Sequence, residues 1–155
     1  MTPAIKLLAA AGIAYSVHAY EHADDVRGFG IEAADKLGLD PDQVFKTLLV
    51  VADGEPVVAI VPVSTQLAPK ALGRAIGAKR VELCDPALAE RLTGYVRGGI
   101  SPFGQKQRLP TVVDDMATAF ATIFVSGGKR GVDIGVAPRD LIDLLDATVA
   151  DISTG

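Results

Sequence analysis

Two adjacent glycines and four cations form the part of this 155-residue chain best suited to holding an anion. Arg91, Arg97, Lys106 and Arg108 fall between Arg91 and Val113 with no acidic residue among them. Gly98 and Gly99 remove side chains where a ligand or a second backbone would come close, so their amides can face it. The stretch from Arg91 to Arg108 therefore reads as a binding surface with few core-forming residues. Lys46 is a second candidate. It opens the apolar run Phe45 to Ala52, and strand alternation puts it on the face of Leu48 and Val50, where an ammonium is costly unless it reaches water or an anion. Taken alone, it reads as a snorkelling edge residue, with anion binding as the alternative. Asp133, between Val132 and Ile134, points away from their face and reads as a solvated strand residue.

Other chemistries find less support. Cys84, in Val-Glu-Leu-Cys-Asp, has no evident base beside it and reads as a packing residue. His18 and His22 have neither a nearby Ser/Asp partner nor metal-ligand spacing and read as an exposed strand end. One cysteine cannot form an internal disulfide, and with two histidines there is no zinc pattern, so neither metal nor cofactor is implied. Gly28-Phe-Gly-Ile-Glu-Ala33 has dinucleotide-site spacing but follows Glu21-His-Ala-Asp-Asp25 instead of a hydrophobic strand. Gly127-Gly128-Lys129 lacks the spacing of a P-loop. The formal net charge is −4, with nine acidic residues before residue 56 and four after Arg139, while basic residues dominate from Lys70 to Arg139. Gathered on one face, those basic residues could bind phosphate; an ordinary solvated surface is the simpler reading.

The elements that must position these groups interleave in a single α/β (α+β) domain over residues 1–155. Thr2-Pro3 followed by Ala4 to Ala11 and Gly12 predicts a capped helix. Ile13 to Tyr20 alternates as a half-buried strand, with His18 and Tyr20 pointing together. Ile31 to Leu37 predicts a helix ending at Gly38, and Asp40-Pro41-Asp42-Gln43 a second helix start. Phe45 to Ala52 and Pro56 to Val63 flank Asp53-Gly54-Glu55 as a hairpin at the sheet centre. A helix at Pro69 to Ile76, a strand at Val81 to Cys84 and a helix from Asp85-Pro86 to Leu92 lead into the glycine-rich segment. Thr111 to Val113, Ala121 to Ser126 and Val132 to Val136 read as strands, the last two joined by a turn at Gly127 to Gly131. A helix at Pro138 to Leu145 and a strand at Thr148 to Ile152 follow. The apolar runs are far shorter than the roughly 20 residues that span a bilayer, and the N-terminus lacks a secretory pattern, which predicts a soluble cytoplasmic protein.

Phe45-Lys46-Thr47-Leu48-Leu49, Thr93-Gly94-Tyr95, Gly98-Gly99-Ile100-Ser101-Pro102, Gly104-Gln105-Lys106, Leu109-Pro110-Thr111 and Ser126-Gly127-Gly128-Lys129-Arg130-Gly131 together resemble the YbaK/EbsC family of aminoacyl-tRNA deacylases over nearly the whole chain. Within it, the YbaK-type Cys-tRNA(Pro) deacylases are most similar. The resemblance implies a fold like the editing domain of bacterial prolyl-tRNA synthetase, a mixed, partly barrel-like β-sheet surrounded by helices. It implies trans-editing of cysteine misattached to tRNA(Pro), some action on Cys-tRNA(Cys), and prolyl-tRNA synthetase as a partner. Lys46, Gly98 and Asp133 are then the catalytic positions, and Tyr20, Thr47, Gly99 and Ser126 the substrate-binding ones. It also implies that the cysteine thiol attacks its own ester, so that the protein needs no nucleophile. The chain departs from the nearest pattern in its short Asp53-Gly54-Glu55 connection, at Ala68-Pro69 and at Gly135, which leaves open Ala-tRNA(Pro) or another misacylated tRNA. A noncatalytic tRNA- or synthetase-binding module is the alternative of a different class.

Overall fold

The computed structural model describes residues 1–23 and 28–155; Asp24 and Asp25, within the acidic run noted above, lie outside them. Local signals set most of the element boundaries. Thr2 accepts a hydrogen bond from the Ile5 amide to start α1 (Pro3–Ala10), an N-cap contribution of about 1 kcal/mol. β1 (Ser16–Ala19) and α2 (Phe29–Leu37) follow, α2 closing on left-handed Gly38. β2 (Phe45–Ala52) and β3 (Glu55–Pro62) form the hairpin. Its two turn residues, Asp53 and Gly54, take φ of 49° and 86°, the sign pattern of a turn that matches strand twist. Next come β4 (Gln66–Leu67), α3 (Pro69–Ile76), β5 (Val81–Leu83), α4 (Pro86–Thr93), β6 (Thr111–Asp114) and a 3-10 turn (Asp115–Ala119). β7 (Ile123–Lys129), β8 (Val132–Val136), α5 (Pro138–Leu145), β9 (Thr148–Ala150) and β10 (Ser153–Thr154) complete the chain.

The five-stranded sheet has the order β5-β2-β3-β6-β9, antiparallel through β5, β2 and β3 and parallel through β6 and β9. A three-stranded antiparallel sheet, β1-β8-β7, meets it through a parallel bridge between Val44 and Phe124, and β10 pairs with β4. The mixed α/β architecture is as expected, and its sheets do not close into a barrel. Period-two alternation divides the core. Phe45, Leu49, Val58 and Ile60 pack with Leu8 of α1, Leu141 of α5 and the inner residues of β7 and β8. Val50, Val57, Ala59 and Val61 pack on the other face beneath Leu72 of α3. Each fully buried leucine or isoleucine, such as Leu8, Ile60 and Leu72, contributes about 1.5–3 kcal/mol.

Four local expectations are corrected. Ile13 to Tyr20 forms a strand only at Ser16–Ala19, where Val17 is 51% exposed while His18, expected at an exposed end without a serine partner, lies 2.8 Å from Ser16 Oγ and sets its ring edge-on to Phe124 at 5.2 Å. Asp40 to Gln43 is a turn without a helix, because the Asp40 carboxylate accepts from the Asp42 amide and the chain then enters the Val44 bridge. β7 continues through Gly127 and Gly128 by an irregularity between Ser126 and Lys129, leaving only Arg130 and Gly131 to turn. Thr148 to Ile152 stops pairing at Ala150, and Ser153–Thr154 crosses to β4.

Candidate active site

β5 pairs with β2 only over Val50 to Ala52, so among the described residues the first half of β2 has no strand neighbour on that edge. There a cleft of about 450 Å³ opens. Residues 44–49 form one wall; Tyr20, just past β1, with Ser126 of β7 and Asp133 of β8 forms another; Gly28 to Ile31 of the α2 entry and Arg97, Gly98 and Ile100 of the glycine segment contribute further. Six of the seven proposed site residues, Tyr20, Lys46, Thr47, Gly98, Ser126 and Asp133, thus share one cavity. Gly99 is not in the lining. A side chain there would meet the Lys129 backbone at 2.7 Å, and its amide donates to Val96, so it holds the loop against the β7–β8 turn.

Lys46 lies half-buried, its Nζ donating to the Thr65 carbonyl at 2.8 Å. This contact orients the ammonium and leaves two of its three N–H donors for a ligand. Burial lowers its pKa. Thr47 alternates to the opposite face, and its Oγ1 is buried without a hydrogen-bond partner among the described residues. An unpaired buried hydroxyl in a cleft wall is costly unless a ligand completes it. Ser126 Oγ accepts from the Gly128 amide, keeping its own O–H available. Burial, and secondarily the Asp133 charge, push the Tyr20 hydroxyl up to about 12, so it remains a donor.

Asp133 is 5% exposed, which overturns the solvated reading. Val132 and Ile134 flank it on the opposite face, but the face it occupies is covered by the cleft walls instead of by water. Burial pushes its carboxyl up to about 7. The folded protein therefore retains a proton that the unfolded chain releases near pH 4, and stability falls between about pH 4 and about pH 7 and levels off above it. Asp133→Asn is expected to remove that slope and to exceed the wild type above pH 7 by up to about 4 kcal/mol. Urea unfolding at pH 5 and pH 8 measures it; equal pH dependence in the two proteins would contradict the burial of this charge.

Gly98 has φ of 84°, and a Cβ there would lie 2.7 Å from the Phe29 ring. That ring carries Arg130 above it at 5.1 Å, while the Arg130 Nε donates to the Arg97 carbonyl at 2.6 Å. Phe29 also lies beside His22, whose Nδ1 is 2.7 Å from buried Glu32. Phe29, Arg130 and Glu32 were given no role from sequence, and His22, read there as part of an exposed strand end, is instead largely buried against Glu32. For Phe29 the signal was the glycine pair around it: a side chain at Gly30 would strike Val63, so this spacing serves close helix–sheet approach. Gly98→Val is expected to displace Phe29, cost about 1–3 kcal/mol and lower turnover. Circular dichroism with kinetics tests this; wild-type kinetics in a folded variant would contradict the close approach.

The glycine segment is less uniformly a surface than its composition suggests. Tyr95, Ser101 and Phe103 are buried, with the Tyr95 hydroxyl donating to the Phe103 carbonyl at 2.6 Å. Its cations also separate: Arg97 lines the cleft, whereas Arg108 lines a different hollow with Leu7 and Leu145. Cys84 both packs on the core and lines the cleft, but burial, followed by the Asp85 charge, raises its thiol pKa and disfavours the thiolate. Asp114, Asp115 and Asp151 lie together outside the cleft lining, where Asp114 accepts from the Met116 and Ile152 amides. No helix among the described residues is long and apolar enough to cross a membrane.

The cleft brings together one ammonium, one guanidinium, one buried carboxyl and three hydroxyls, with a thiol whose pKa burial raises, so it has the groups needed to position and polarise a ligand. The comparisons give that class its family. The aminoacyl-tRNA editing domain family matches residues 25–144. EbsC of Enterococcus faecalis, provisionally named a Cys-tRNA(Pro)/Cys-tRNA(Cys) deacylase, is 40% identical over 122 residues, covering 78% of this chain and 74% of EbsC. A proline–tRNA ligase of Geobacter metallireducens is 32% identical over 130 residues, which span 80% of this chain and 22% of the ligase. The fold matches a crystal structure described as a candidate trans-editing enzyme for prolyl tRNA synthetase, with a TM-score of 0.87, 23% identity, and coverage of 99% of this chain and 96% of that one. This chain belongs to the aminoacyl-tRNA editing domain family.

Proposed function

We propose that this protein is a trans-editing deacylase that removes cysteine from mischarged Cys-tRNA(Pro), and that it works in the cytoplasm beside prolyl-tRNA synthetase. The observation that carries the reading is the convergence of Lys46, Thr47, Gly98, Ser126, Tyr20 and Asp133 on one cleft in a chain of this family. The 40% identity to EbsC supports cysteine as the amino acid. The physical need is clear: pockets separate near-isosteric amino acids such as cysteine and proline by only about 1–3 kcal/mol, so a second site that senses chemistry is the remedy.

In the proposed reaction, the cysteine sulfur attacks its own ester carbonyl carbon. An S–C bond forms, the bond from that carbon to the ribose oxygen breaks, and the thiol proton ends on the released tRNA hydroxyl. The other product is the cyclic thioester of cysteine, which water can open later. The chain supplies position and charge. Asp133, the sole carboxyl among the lining residues, faces the α-ammonium of the aminoacyl group, whose approach favours the carboxylate form. Lys46 stabilises the developing oxyanion or anchors the terminal ribose or phosphate. The Gly99 amide, already donated to Val96, is not available for this purpose.

Deacylation of Cys-tRNA(Pro), Ala-tRNA(Pro) and Pro-tRNA(Pro) in parallel tests the reading. Cysteine loss alone is expected; faster loss of alanine would support the sister specificity, and binding without deacylation of any substrate would support a noncatalytic module.

A further inference from the structure

A second concavity, of about 680 Å³, lies between α3 and the start of β5 and holds four exposed cations: Lys70 and Arg74 on the helix, Lys79 and Arg80 on the loop that follows it. No acidic residue lines it. The shape is built into the sequence. Left-handed Gly77 ends α3, and Gly73, whose Cβ would lie 2.6 Å from the Ala78 carbonyl, lets the loop fold tightly back on the helix. The Asp53 carboxylate accepts from the Lys79 and Arg80 amides, which hold its pKa down and hold the loop in place. Among the described residues, only Arg80 of the four has an ion-pair partner, an exposed one with Glu82 at 3.8 Å. Such a pair contributes little. In a chain of net charge −4, four neighbouring cations with one loose partner are a marked local excess.

The position of this excess relative to the cleft suggests its ligand. Val81 lines the basic concavity and Leu83 lines the cleft, and strand alternation puts both on the same face of β5. Lys46 also lies on this side of the sheet, with Val50 and Leu72 of α3. Ala52, paired with Val81, lies six residues along β2 from Lys46, roughly 20 Å at strand rise. A few nucleotides of single strand can cover that reach. We infer that the α3–β5 concavity is a second contact for the tRNA, gripping the sugar-phosphate backbone that leads away from the aminoacyl end seated in the cleft. The inference rests on the deacylase reading for what occupies the cleft, and extends it to a surface outside the catalytic residues. Contacts of this kind bind phosphate without reading sequence, so they add affinity common to all tRNAs and leave amino-acid choice to the cleft.

The test uses the double variant Arg74→Ala/Lys79→Ala with Arg139→Ala as a control; Arg139 is an exposed cation of α5. Affinity for uncharged tRNA is measured by fluorescence anisotropy over a range of salt, and KM and kcat for Cys-tRNA(Pro) are measured alongside. The double variant is expected to bind at least tenfold more weakly at low salt and to flatten the slope of log Kd against log salt by about 1.4–1.8, from about 0.7–0.9 per lost contact. KM is expected to rise while kcat at saturating tRNA is kept, and the control is expected to match the wild type. A wild-type slope and KM in the folded double variant would overturn the inference. So would loss of synthetase association with RNA affinity unchanged, which would make the concavity a protein-docking site. Failure of the wild type to deacylate any aminoacyl-tRNA, with charge-dependent tRNA binding still present, would instead sink the deacylase reading and leave the RNA surface standing.

Discussion

Lys46→Ala is expected to reduce deacylation by about a hundred- to a thousandfold, the usual loss when a preorganised donor to a developing charge is removed, while leaving the fold intact. The fold survives because the side chain is only half-buried, its pKa is lowered by burial, and its one hydrogen bond among the described residues is to the Thr65 carbonyl. Truncation therefore relieves a partly desolvated charge as it breaks one hydrogen bond. The kinetic pattern separates the two roles open to this ammonium. A fall confined to kcat means that it acts on the transition state, whereas a rise in KM with kcat kept means that it anchors ribose or phosphate. Lys46→Arg should recover only part of the activity, since a planar guanidinium cannot place a compact point charge beside Thr65. Near-normal rates in folded Lys46→Ala would remove the residue from the mechanism.

Much of the framework was legible because its signals are local. Proline at the starts of α1, α3, α4 and α5, and glycine at the ends of α2, α3 and α4, bounded those helices almost to the residue. The Asp53-Gly54 turn set the central hairpin. What failed was set by partners distant in sequence. Val17 looked buried by alternation, but β1 is an edge strand whose inward neighbour is Phe124, more than a hundred residues away. The same holds for the site. Alternation put Asp133 on the face opposite Ile134 correctly, yet could not reveal that β2 and the glycine loop cover that face. Gly98 and Lys46 stood out by residue type and position, with Lys46 left open as a snorkelling edge residue; Thr47 and Ser126 were named only through family resemblance, and neither type nor spacing would have gathered the four into one site. Gly99 was assigned to binding because its amide, like that of Gly98, could face a ligand, whereas it donates to Val96 and packs on the Lys129 backbone. Phe29 escaped notice because the dinucleotide pattern around it was set aside, and the close packing of Gly30 on Val63 is a tertiary fact.

The second large effect concerns the substrate. If the cleft positions an ester and lets its own side chain attack, the rate must follow that side chain's nucleophilicity. A thiol near pKa 8.5 is a few per cent thiolate at neutral pH and intrinsically reactive, whereas a hydroxyl of similar shape is weak without a base. Ser-tRNA(Pro) should therefore react slower than Cys-tRNA(Pro) by on the order of a hundredfold or more. The protein offers no thiolate of its own to compensate, since Cys84 is held protonated, and Cys84→Ala should keep activity. Rate should rise with pH as the substrate thiol ionises.

The decisive measurement is a single-turnover comparison of Cys-tRNA(Pro) and Ser-tRNA(Pro) at saturating wild-type enzyme, where differences in binding do not disguise the chemical step. Rapid loss of cysteine with serine largely retained is the expected result. Equal rates for the two esters would contradict substrate assistance and assign the attack to a water activated within the cleft.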